Sequence, residues 1–390
     1  MKKYKFAVFK NFIFLIICAC FLFIVPLSFS LAENVSSSHW QTNISSKYAL
    51  IPHLTTLSGL HVDENTLQDR HGKIIVLHGV NRSGGEYMCV QGRGFMDGPV
   101  DAASVQAIAS WHVNAVRVPL NEHCWLGLSD VLPQYSGYNY RQFVRNYVKL
   151  LNQYGLYVIL DLHWSGALLG ATSSQPMPDK TYAPAFWKSV ASSFKNNTTV
   201  LFDVFNEPYP DNNQDTINGW NCWKNGGLCS GIPYKAVGMQ ELVNTIRSTG
   251  APNVILLGGL QYANNLSHWL QYQPKDPRHN IAASWHIYPN GNPCNTTDCY
   301  DKTIAPVTKS VPLVAGEVGE SINSDICSVD KTNIVLNWLD AHAASYLAWA
   351  WDALGTDCGN LSLITDYSGT PKSPNGTNYL NHLQSFLLKH

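Results

Sequence analysis

Short apolar segments rich in β-branched residues alternate with helix-like patterns from residue 74 to the C-terminus. The eight segments that resemble strands are IIVLHGVN, AVRVP, LYVILDLHW, LFDVF, NVILLGG, IAASWHIY, VPLVAGEVG and SYLAWAWDA. Apolar residues recur at helical spacing in residues 101–111, 140–154, 183–194, 234–248, 332–342 and 378–388. Because eight βα units in one domain can close into a ring, this pattern predicts an α/β fold of the (β/α)8 TIM-barrel type.

An open, doubly wound sheet is the alternative fold, but no Gly-x-Gly-x-x-Gly sequence follows the first strand to bind a dinucleotide. Residues 60–77 predict an N-terminal hairpin that turns near His71 and Gly72. No Pro/Ser-rich linker divides the chain after residue 60. We therefore predict one domain over residues 60–390, preceded by an N-terminal arm at residues 33–59.

The N-terminus has the features of a secretory signal peptide. The first ten residues, MKKYKFAVFK, carry four Lys and no acid, an apolar run follows at residues 12–26, and small residues lie around Ala32. This pattern predicts a signal peptide at residues 1–32 and a secreted, extracellular protein. An uncleaved membrane anchor is an alternative because the apolar run is long, and a lipid-modified Cys20 is a weaker one.

Composition limits the classes of partner. The formal net charge is −1, and no dense Lys/Arg cluster follows the N-terminal segment. A nucleic acid or an anionic membrane surface is therefore not expected as a partner. A neutral substrate fits this balance, and we expect a monomer.

Eight cysteines remain after residue 32, and an even number in an exported chain predicts disulfides. Eight cysteines allow 105 pairings. The short spans favour Cys222 with Cys229 and Cys294 with Cys299, which leaves Cys89 with Cys124 and Cys327 with Cys358 to join neighbouring loops. A zinc site is the alternative, but no Cys-x-x-Cys spacing occurs after residue 32.

Seven of the eight predicted strands end in polar or aromatic side chains. These are Asn81, Arg117, His163, Asn206 with Glu207, His286 with Tyr288, Glu317, and Trp349 with Trp351. Each alone has an ordinary structural explanation, but a parallel barrel directs strand-end side chains into one shared pocket. Two converging carboxylates suit glycoside hydrolysis, in which one donates a proton while the other attacks or activates water. Their separation, which the sequence does not supply, decides between retention and inversion.

The motifs HGVN, NAVRVP, VILDLHW, FDVFNEP, SWHIY, VAGEVGE and AWAWD, in this order, resemble those of glycoside hydrolase family 5, the retaining cellulase-type enzymes of clan A. The resemblance spans residues 60–367. It implies that Glu207 is the general acid/base and Glu317 the nucleophile, and that no cofactor or metal is needed. A β-linked polysaccharide or oligosaccharide is the implied substrate, with an endo-β-1,4-glucanase as the closest counterpart. Mannanases and exo-acting β-glycosidases share this catalytic set.

The resemblance also implies roles around the two glutamates. Asn206 would hold the sugar 2-hydroxyl, Arg117 and Tyr288 would bond to the nucleophile, His163 and His286 would line the reactive subsite, and Trp351, in preference to Trp349, would form its floor. Arg117 and Tyr288 would favour the charged form of Glu317, whereas burial would raise the pKa of Glu207 and keep it protonated. Glu320 is a competing nucleophile, but we expect it in a loop.

Aromatic residues near the strand ends could stack on sugar rings. The candidates are Trp125, Trp164, Tyr209, Trp220, Trp223, Tyr262 and Trp285, and we expect about half of them to pack in the core. Trp220 and Trp223, near Cys229, are the preferred platforms, together with Trp164. Trp220 and Trp223 lie in an insertion at residues 211–232 that departs from the simplest family pattern and leaves the cleft shape open.

Two alternatives of another class remain. A carbohydrate-binding barrel without activity is one, and retention of both glutamates argues against it. A metal-dependent hydrolase is the other, but no His-x-His pair or Asp cluster accompanies His163 and His286.

Overall fold

The structure is a computed structural model, and it describes residues 57–166, 174–320, 328–355 and 361–387. The predicted signal peptide, residues 33–56 of the predicted arm, and the predicted Cys327–Cys358 disulfide lie outside these residues. Within the described ranges, no helix combines the length and the apolar character needed to cross a bilayer.

Eight parallel strands form a closed barrel. The described residues contain the strands β1 (Leu60–Asp63), β2 (Thr66–Asp69), β3 (His78–Asn81), β4 (Ala115–Asn121), β5 (Tyr157–Trp164), β6 (Val200–Asp203), β7 (Gly226–Leu228), β8 (Lys235–Val237), β9 (Ile255–Gly258), β10 (Ile281–Ile287), β11 (Leu313–Val318) and β12 (Ser345–Ala348). The barrel order is β3-β4-β5-β6-β9-β10-β11-β12, and β12 pairs with β3 to close it. The predicted (β/α)8 barrel is therefore confirmed.

Helices follow the barrel strands. They are α1 (Ala102–Ala109), α2 (Glu122–Leu126), α3 (Gly137–Gln153), α4 (Ala183–Phe194), α5 (Pro210–Asn213), α6 (Ile217–Asn225), α7 (Met239–Ser248), α8 (Trp269–Tyr272), α9 (Thr297–Cys299), α10 (Ala305–Thr308), α11 (Asp330–Ala341) and α12 (Asn375–Leu387). A 3-10 turn at Pro133–Tyr135 and a π-helical segment at Tyr300–Ile304 complete the set of helical elements in the described ranges. The predicted helix at residues 183–194 matches α4 in both bounds.

The predicted reversal near His71 and Gly72 is present, because Gln68 and Ile74 pair antiparallel across it and the N–H of Asp69 donates to the carbonyl of Lys73. A further hairpin, β1–β2, was not predicted and reverses at Glu64, which adopts a left-handed φ of 51°.

One local prediction needs correction. Residues 235–237, predicted to be helical, form β8 instead. They pair antiparallel with β7 on one side, and on the other Val237 donates to the carbonyl of Pro178 while Lys235 accepts from the N–H of Lys180, so these backbone groups are bonded without a helix.

The core has two parts because residues alternate between the two faces of each barrel strand. Side chains that point outwards, such as Val116, Val158 and Phe202, pack against the surrounding helices in the larger apolar cluster. Side chains that point inwards, such as Ile159 and Leu256, form a second cluster with Leu60 and Leu67 of the hairpin β1–β2. The hairpin thus packs against the apolar interior of the barrel.

Three of the four predicted disulfides lie within the described residues, and all three are present. Cys89 is bonded to Cys124, Cys222 to Cys229, and Cys294 to Cys299. The first joins the loop after β3 to α2, and the second closes the insertion that follows β6. They constrain loops that follow the C-terminal ends of the barrel strands, where the predicted site residues lie.

Candidate active site

Arg117, a fully buried residue of β4, is at the centre of the site. Its guanidinium lies 2.8 Å from Oε1 of Glu317, 2.9 Å from Oδ2 of Asp161 and 3.0 Å from Oδ2 of Asp203. It also donates a 2.8 Å hydrogen bond to Oδ1 of Asn206. Burial alone would lower the pKa of Arg117, but the three carboxylates outweigh burial and raise it. The permanent charge therefore holds Glu317 and Asn206 in fixed orientations.

Glu207 and Glu317 converge across the barrel opening. Glu207 follows β6, Glu317 lies on β11, and one carboxylate oxygen of each lies within 4.8 Å of the other. The Nδ1 atom of His286, on β10, lies 3.1 Å from Oε1 of Glu207 and 3.7 Å from Oε2 of Glu317. Burial lowers the pKa of His286 to about 3, so this ring is neutral. A neutral imidazole between two carboxyl groups can exchange hydrogen bonds with either of them.

Strand irregularities help to position these groups. The register between β10 and β11 shifts between Trp285 and His286, and this shift brings His286 opposite Glu317. Such shifts redirect side chains next to functional sites. Tyr288, just past β10, donates a hydrogen bond of 2.6 Å to Oε2 of Glu317. Arg117 and Tyr288 therefore bind different oxygens of the same carboxylate.

Glu207 has the environment of a proton donor. Its side chain is 21% exposed, and burial raises its pKa to about 7, against the lowering effect of the Arg117 charge. The carboxyl group is therefore protonated in a large fraction of molecules near neutral pH, as a general acid requires.

His163 lies at the end of β5 and is fixed from two sides. Its Nδ1 atom lies 2.7 Å from Oδ2 of Asp161, and its ring stacks on that of Trp349 with centroids 5.3 Å apart. Burial lowers its pKa to about 4, so it donates to Asp161 as a neutral imidazole. Trp349 is partly exposed and therefore retains an accessible indole face in the site.

Trp351 does not form the floor of the site, so the preference for it over Trp349 is corrected. The side chain is fully buried and packs edge-on against Trp111 at 4.8 Å. Its backbone N–H donates to the carbonyl of Asn81. The chain leaves the extended conformation after β12, which ends at Ala348, so residues 349 and 351 no longer share a face.

Trp220 and Trp223 are also corrected, because neither can serve as a platform for a sugar. Both are fully buried on the inner face of α6, where their rings meet edge-on at 5.4 Å. The indole N–H of Trp223 donates to the carbonyl of Gly258, and that of Trp220 donates to Asp215. Trp125 and Trp285 are buried as well, whereas Trp164, Tyr209 and Tyr262 keep exposed surface.

Glu320 faces away from the reactive carboxylates. Its Oε2 accepts hydrogen bonds from the backbone N–H and the hydroxyl of Thr332 near the start of α11, and its Oε1 accepts one from Asn290. This carboxylate therefore satisfies donors at a helix N-terminus.

Comparison with known families agrees with this geometry. Residues 71–355 match the family model of Cellulase (glycosyl hydrolase family 5). The chain belongs to glycosyl hydrolase family 5. It is therefore an enzyme that hydrolyses glycosidic bonds.

Individual family 5 relatives are distant. A mannan endo-1,4-β-mannosidase of Salipaludibacillus agaradhaerens is 22% identical over 80% of this chain and 87% of its own length. A probable endo-β-1,4-glucanase B of Aspergillus oryzae is 27% identical over 64% of this chain and 71% of its own length. The β-glucanase SdGluc5_26A of Saccharophagus degradans, in a crystal structure with cellotetraose, superposes with a TM-score of 0.64 at 20% identity, over 89% of this chain and 98% of that one.

This family 5 site contains two acids that the sequence did not single out, because Asp161 and Asp203 both bind Arg117. Asn81, one of the predicted strand-end residues, accepts a hydrogen bond of 3.0 Å from Arg117. The sequence did indicate that Asp161 lies in the site, because it comes two positions before His163 and residues at that spacing share one face of a strand.

Glu207, His286 and Glu317 each place a possible metal ligand within 4.8 Å of the others. Carboxylate and imidazole groups can bind a divalent cation. The sequence-based expectation of a metal-free reaction therefore stays a prediction and needs a direct test.

Proposed function

We propose that this family 5 enzyme is a secreted, retaining endo-β-1,4-glucanase that acts by double displacement. The separation of Glu207 and Glu317, within 4.8 Å between one oxygen of each, is the observation that carries the retaining, double-displacement part of this proposal. Retaining glycosidases hold their two carboxyl groups about 5 to 5.5 Å apart, whereas inverting enzymes need about 6.5 to 9.5 Å to admit a water molecule.

In the first step, a carboxylate oxygen of Glu317 attacks the anomeric carbon while Glu207 donates its proton to the departing oxygen. The glycosidic C–O bond breaks, and a glycosyl ester of Glu317 forms. Glu317 has lost its charge in the ester, and Glu207, which has given its proton to the leaving group, is now a carboxylate and serves as a base. In the second step, Glu207 removes a proton from water, which attacks the anomeric carbon and releases Glu317.

Surrounding residues support these steps. Arg117 and Tyr288 hold the two oxygens of Glu317, so that one lone pair is directed at the sugar. Arg117 also binds the oxygen of the Asn206 amide, which leaves its NH2 group to donate to the sugar 2-hydroxyl. Such a bond strengthens in the transition state. One face of the Trp349 ring stacks on His163, and its exposed surface provides a floor for the reactive sugar ring.

The polymer is proposed to be a β-1,4-glucan. Glucanases among the relatives and the structure with cellotetraose support this choice. A β-mannanase is the second candidate, because the mannan endo-1,4-β-mannosidase aligns over the largest share of this chain among the relatives described above. Exo action remains an alternative that depends on the shape of the loops around the cleft.

A product-profile screen separates these candidates. The purified enzyme is incubated with carboxymethylcellulose, mannan, xylan and aryl glycosides, and the products are resolved by size over time. A rapid fall in the viscosity of carboxymethylcellulose, with mixed oligosaccharides, is the expected result. Faster cleavage of mannan, or stepwise release of a single small product, would reject the endoglucanase assignment.

Export and catalysis without a metal are parts of the same proposal. Three disulfides support an oxidising compartment, in which such bonds persist. Expression with the native N-terminus should give a secreted monomer that starts near residue 33, as N-terminal sequencing and gel filtration would measure.

The activity of the enzyme should be unchanged by EDTA. Loss on chelation, with recovery on adding a divalent metal, would instead indicate a bound metal in the reaction.

A further inference from the structure

The strand β11 contains one residue more than its neighbours at the position of Gly316. Trp285 and His286 are consecutive residues of β10, but their partners on β11 are Ala315 and Glu317. The pairing of β11 with β12 also takes one residue more on β11 in this region. Both registers pass over Gly316, so β11 has a β-bulge at this residue.

This extra residue decides which way Glu317 points. In a regular strand Glu317 would share a face with Leu313 and Ala315, which pack outwards in the larger apolar cluster. Ala315 and Val318 both belong to that cluster, although residues three positions apart lie on opposite faces of a regular strand. The bulge between them accounts for this, because a shift of one residue exchanges the two faces. It turns Glu317 inwards, to Arg117.

The bulge has no room for a side chain at Gly316. A Cβ atom at this position would lie 3.0 Å from Nε2 of His286 and 3.1 Å from Oγ of Ser284. A larger residue would therefore displace the imidazole ring that lies between the carboxyl groups of Glu207 and Glu317. The glycine before the nucleophile is thus required by space.

The side chain of Asn81 binds the bulge from two strands away. Asn81 is fully buried at the end of β3, and it reaches past β12 to donate a hydrogen bond of 2.8 Å to the carbonyl of Gly316. Its Oδ1 atom accepts a hydrogen bond of 3.0 Å from Arg117, which in turn donates one of 2.8 Å to Oε1 of Glu317. These contacts, with the peptide bond between Gly316 and Glu317, form a closed ring. The ring links the backbone of the nucleophile to the cation that holds its carboxylate.

We propose that Asn81 is a positioning residue for the nucleophile, because it fixes the bulge at Gly316 and thereby the direction in which the Glu317 carboxylate points. This inference rests on the proposed function, in which Glu317 attacks the sugar. Arg117 and Tyr288 hold the oxygens of the carboxylate, whereas Asn81 holds the backbone that carries it. Release of that backbone would shift the attacking oxygen, and a displacement of about 1 Å can cost about 100-fold in rate.

Two substitutions separate the two bonds that Asn81 makes. Asn81→Asp keeps an acceptor for Arg117 but loses the N–H donor to Gly316, and Asn81→Ala loses both. Each should lower kcat about 100-fold and leave KM within about threefold, because the groups that would bind the sugar stay in place. The assay uses the best substrate of the wild type in the product-profile screen, at the pH optimum of each variant and below its melting temperature. A wild-type kcat in Asn81→Asp would overturn the proposal.

Asn253 provides a matched control at the opposite end of the barrel. It is fully buried two positions before β9, and its side chain donates to the carbonyls of Val200 and Asn197 at 2.8 Å and 2.9 Å. Asn253→Asp and Asn253→Ala should lower the melting temperature, because they remove bonds of the same kind. Their kcat should stay within about twofold of the wild type. If the Asn81 variants behave in this way as well, Asn81 has a structural role only.

A trapped ester tests the attack itself. In 2,4-dinitrophenyl 2-deoxy-2-fluoro-β-cellobioside, a carboxylate oxygen of the enzyme bonds to the anomeric carbon, the bond to the phenol oxygen breaks, and dinitrophenolate leaves with its electrons. Mass spectrometry of peptides gives the rate of this labelling and the residue labelled. The wild type should be labelled on Glu317, and both Asn81 variants on the same residue about 100-fold more slowly.

The labelling experiment separates the two proposals. Labelling of Asn81→Asp at the wild-type rate would overturn the positioning role of Asn81. A label on another residue of the wild type, or no label, would instead count against the proposed function.

Discussion

Tyr288 donates its phenolic hydrogen to Oε2 of Glu317 across 2.6 Å, from a position just past the neighbouring strand. The other oxygen of Glu317 lies 2.8 Å from the Arg117 guanidinium. The carboxylate is thus held at both oxygens by groups on separate strands. This arrangement fixes the orientation of the carboxylate that would attack the sugar. Removing the Tyr288 hydroxyl is the milder change of the two, because the contact with Arg117 stays in place.

Replacement of Tyr288 by Phe should lower kcat about 10- to 100-fold, because a hydrogen bond to a charged group contributes about 1.5–3 kcal/mol. Circular dichroism should show an unchanged fold, and the melting temperature should shift little. An unchanged kcat would show that the phenol does not orient the attacking oxygen.

Substitutions of Glu317 and Glu320 distinguish the proposed nucleophile from its competitor. Glu317→Gln should lower kcat by about 10⁴-fold or more, because the attacking carboxylate is lost. Glu320→Gln should keep activity within a few-fold and lower the free energy of unfolding by about 1 kcal/mol, because Glu320 binds the start of α11. Urea unfolding and initial rates measure both effects. The reverse pattern would assign the chemistry to Glu320.

The pH dependence should show the titration of Glu207. Burial raises its pKa to about 7, and the first step needs the protonated form. The value of kcat/KM for a cello-oligosaccharide should therefore fall as the pH rises through about 7, approaching tenfold per pH unit. For β-cellobiosyl fluoride, whose leaving group needs no proton, this alkaline fall should be absent. An identical fall with both substrates would assign the alkaline limb to another group.

Substitutions of the two tryptophans after β12 should have different effects, one on activity and the other on stability. Trp349→Ala should lower kcat/KM about 10- to 100-fold with little change in the melting temperature, because its exposed face meets the substrate and its other face supports His163. Trp351→Ala should lower the free energy of unfolding by about 3–5 kcal/mol, because it empties a buried site beside Trp111. A stable Trp351→Ala protein with lost activity would restore the original assignment of Trp351.

Much of the fold was predictable because it depends on local patterns. The barrel strands are short apolar runs, seven of the eight predicted runs end in polar or aromatic side chains, and parallel strands in a ring bring these ends together. Glu207, Glu317, Arg117 and His286 could be grouped for this reason. Two partners of Arg117, Asp161 and Asp203, could not be predicted, because both acids lie within apolar runs. A buried acid in such a run is identified only by the cation that neutralises it.

The aromatic residues were harder to assign because their exposure depends on loop paths. Trp220 and Trp223 lie three positions apart in α6, a spacing that places both on its buried face, but the helix itself was not predicted. Tyr262 depends on a left-handed turn that contains no glycine to signal it. Such conformations are imposed by tertiary contacts, and the sequence alone carries no local sign of them.

The separation of Glu207 and Glu317 is tested most directly by the anomer that the enzyme releases first. Proton NMR can follow the hydrolysis of a cello-oligosaccharide before mutarotation mixes the products. Two carboxylates with oxygens within 4.8 Å predict that the β-anomer appears first and the α-anomer only later. If the α-anomer is released first, the reaction inverts, and the double displacement through Glu317 is contradicted.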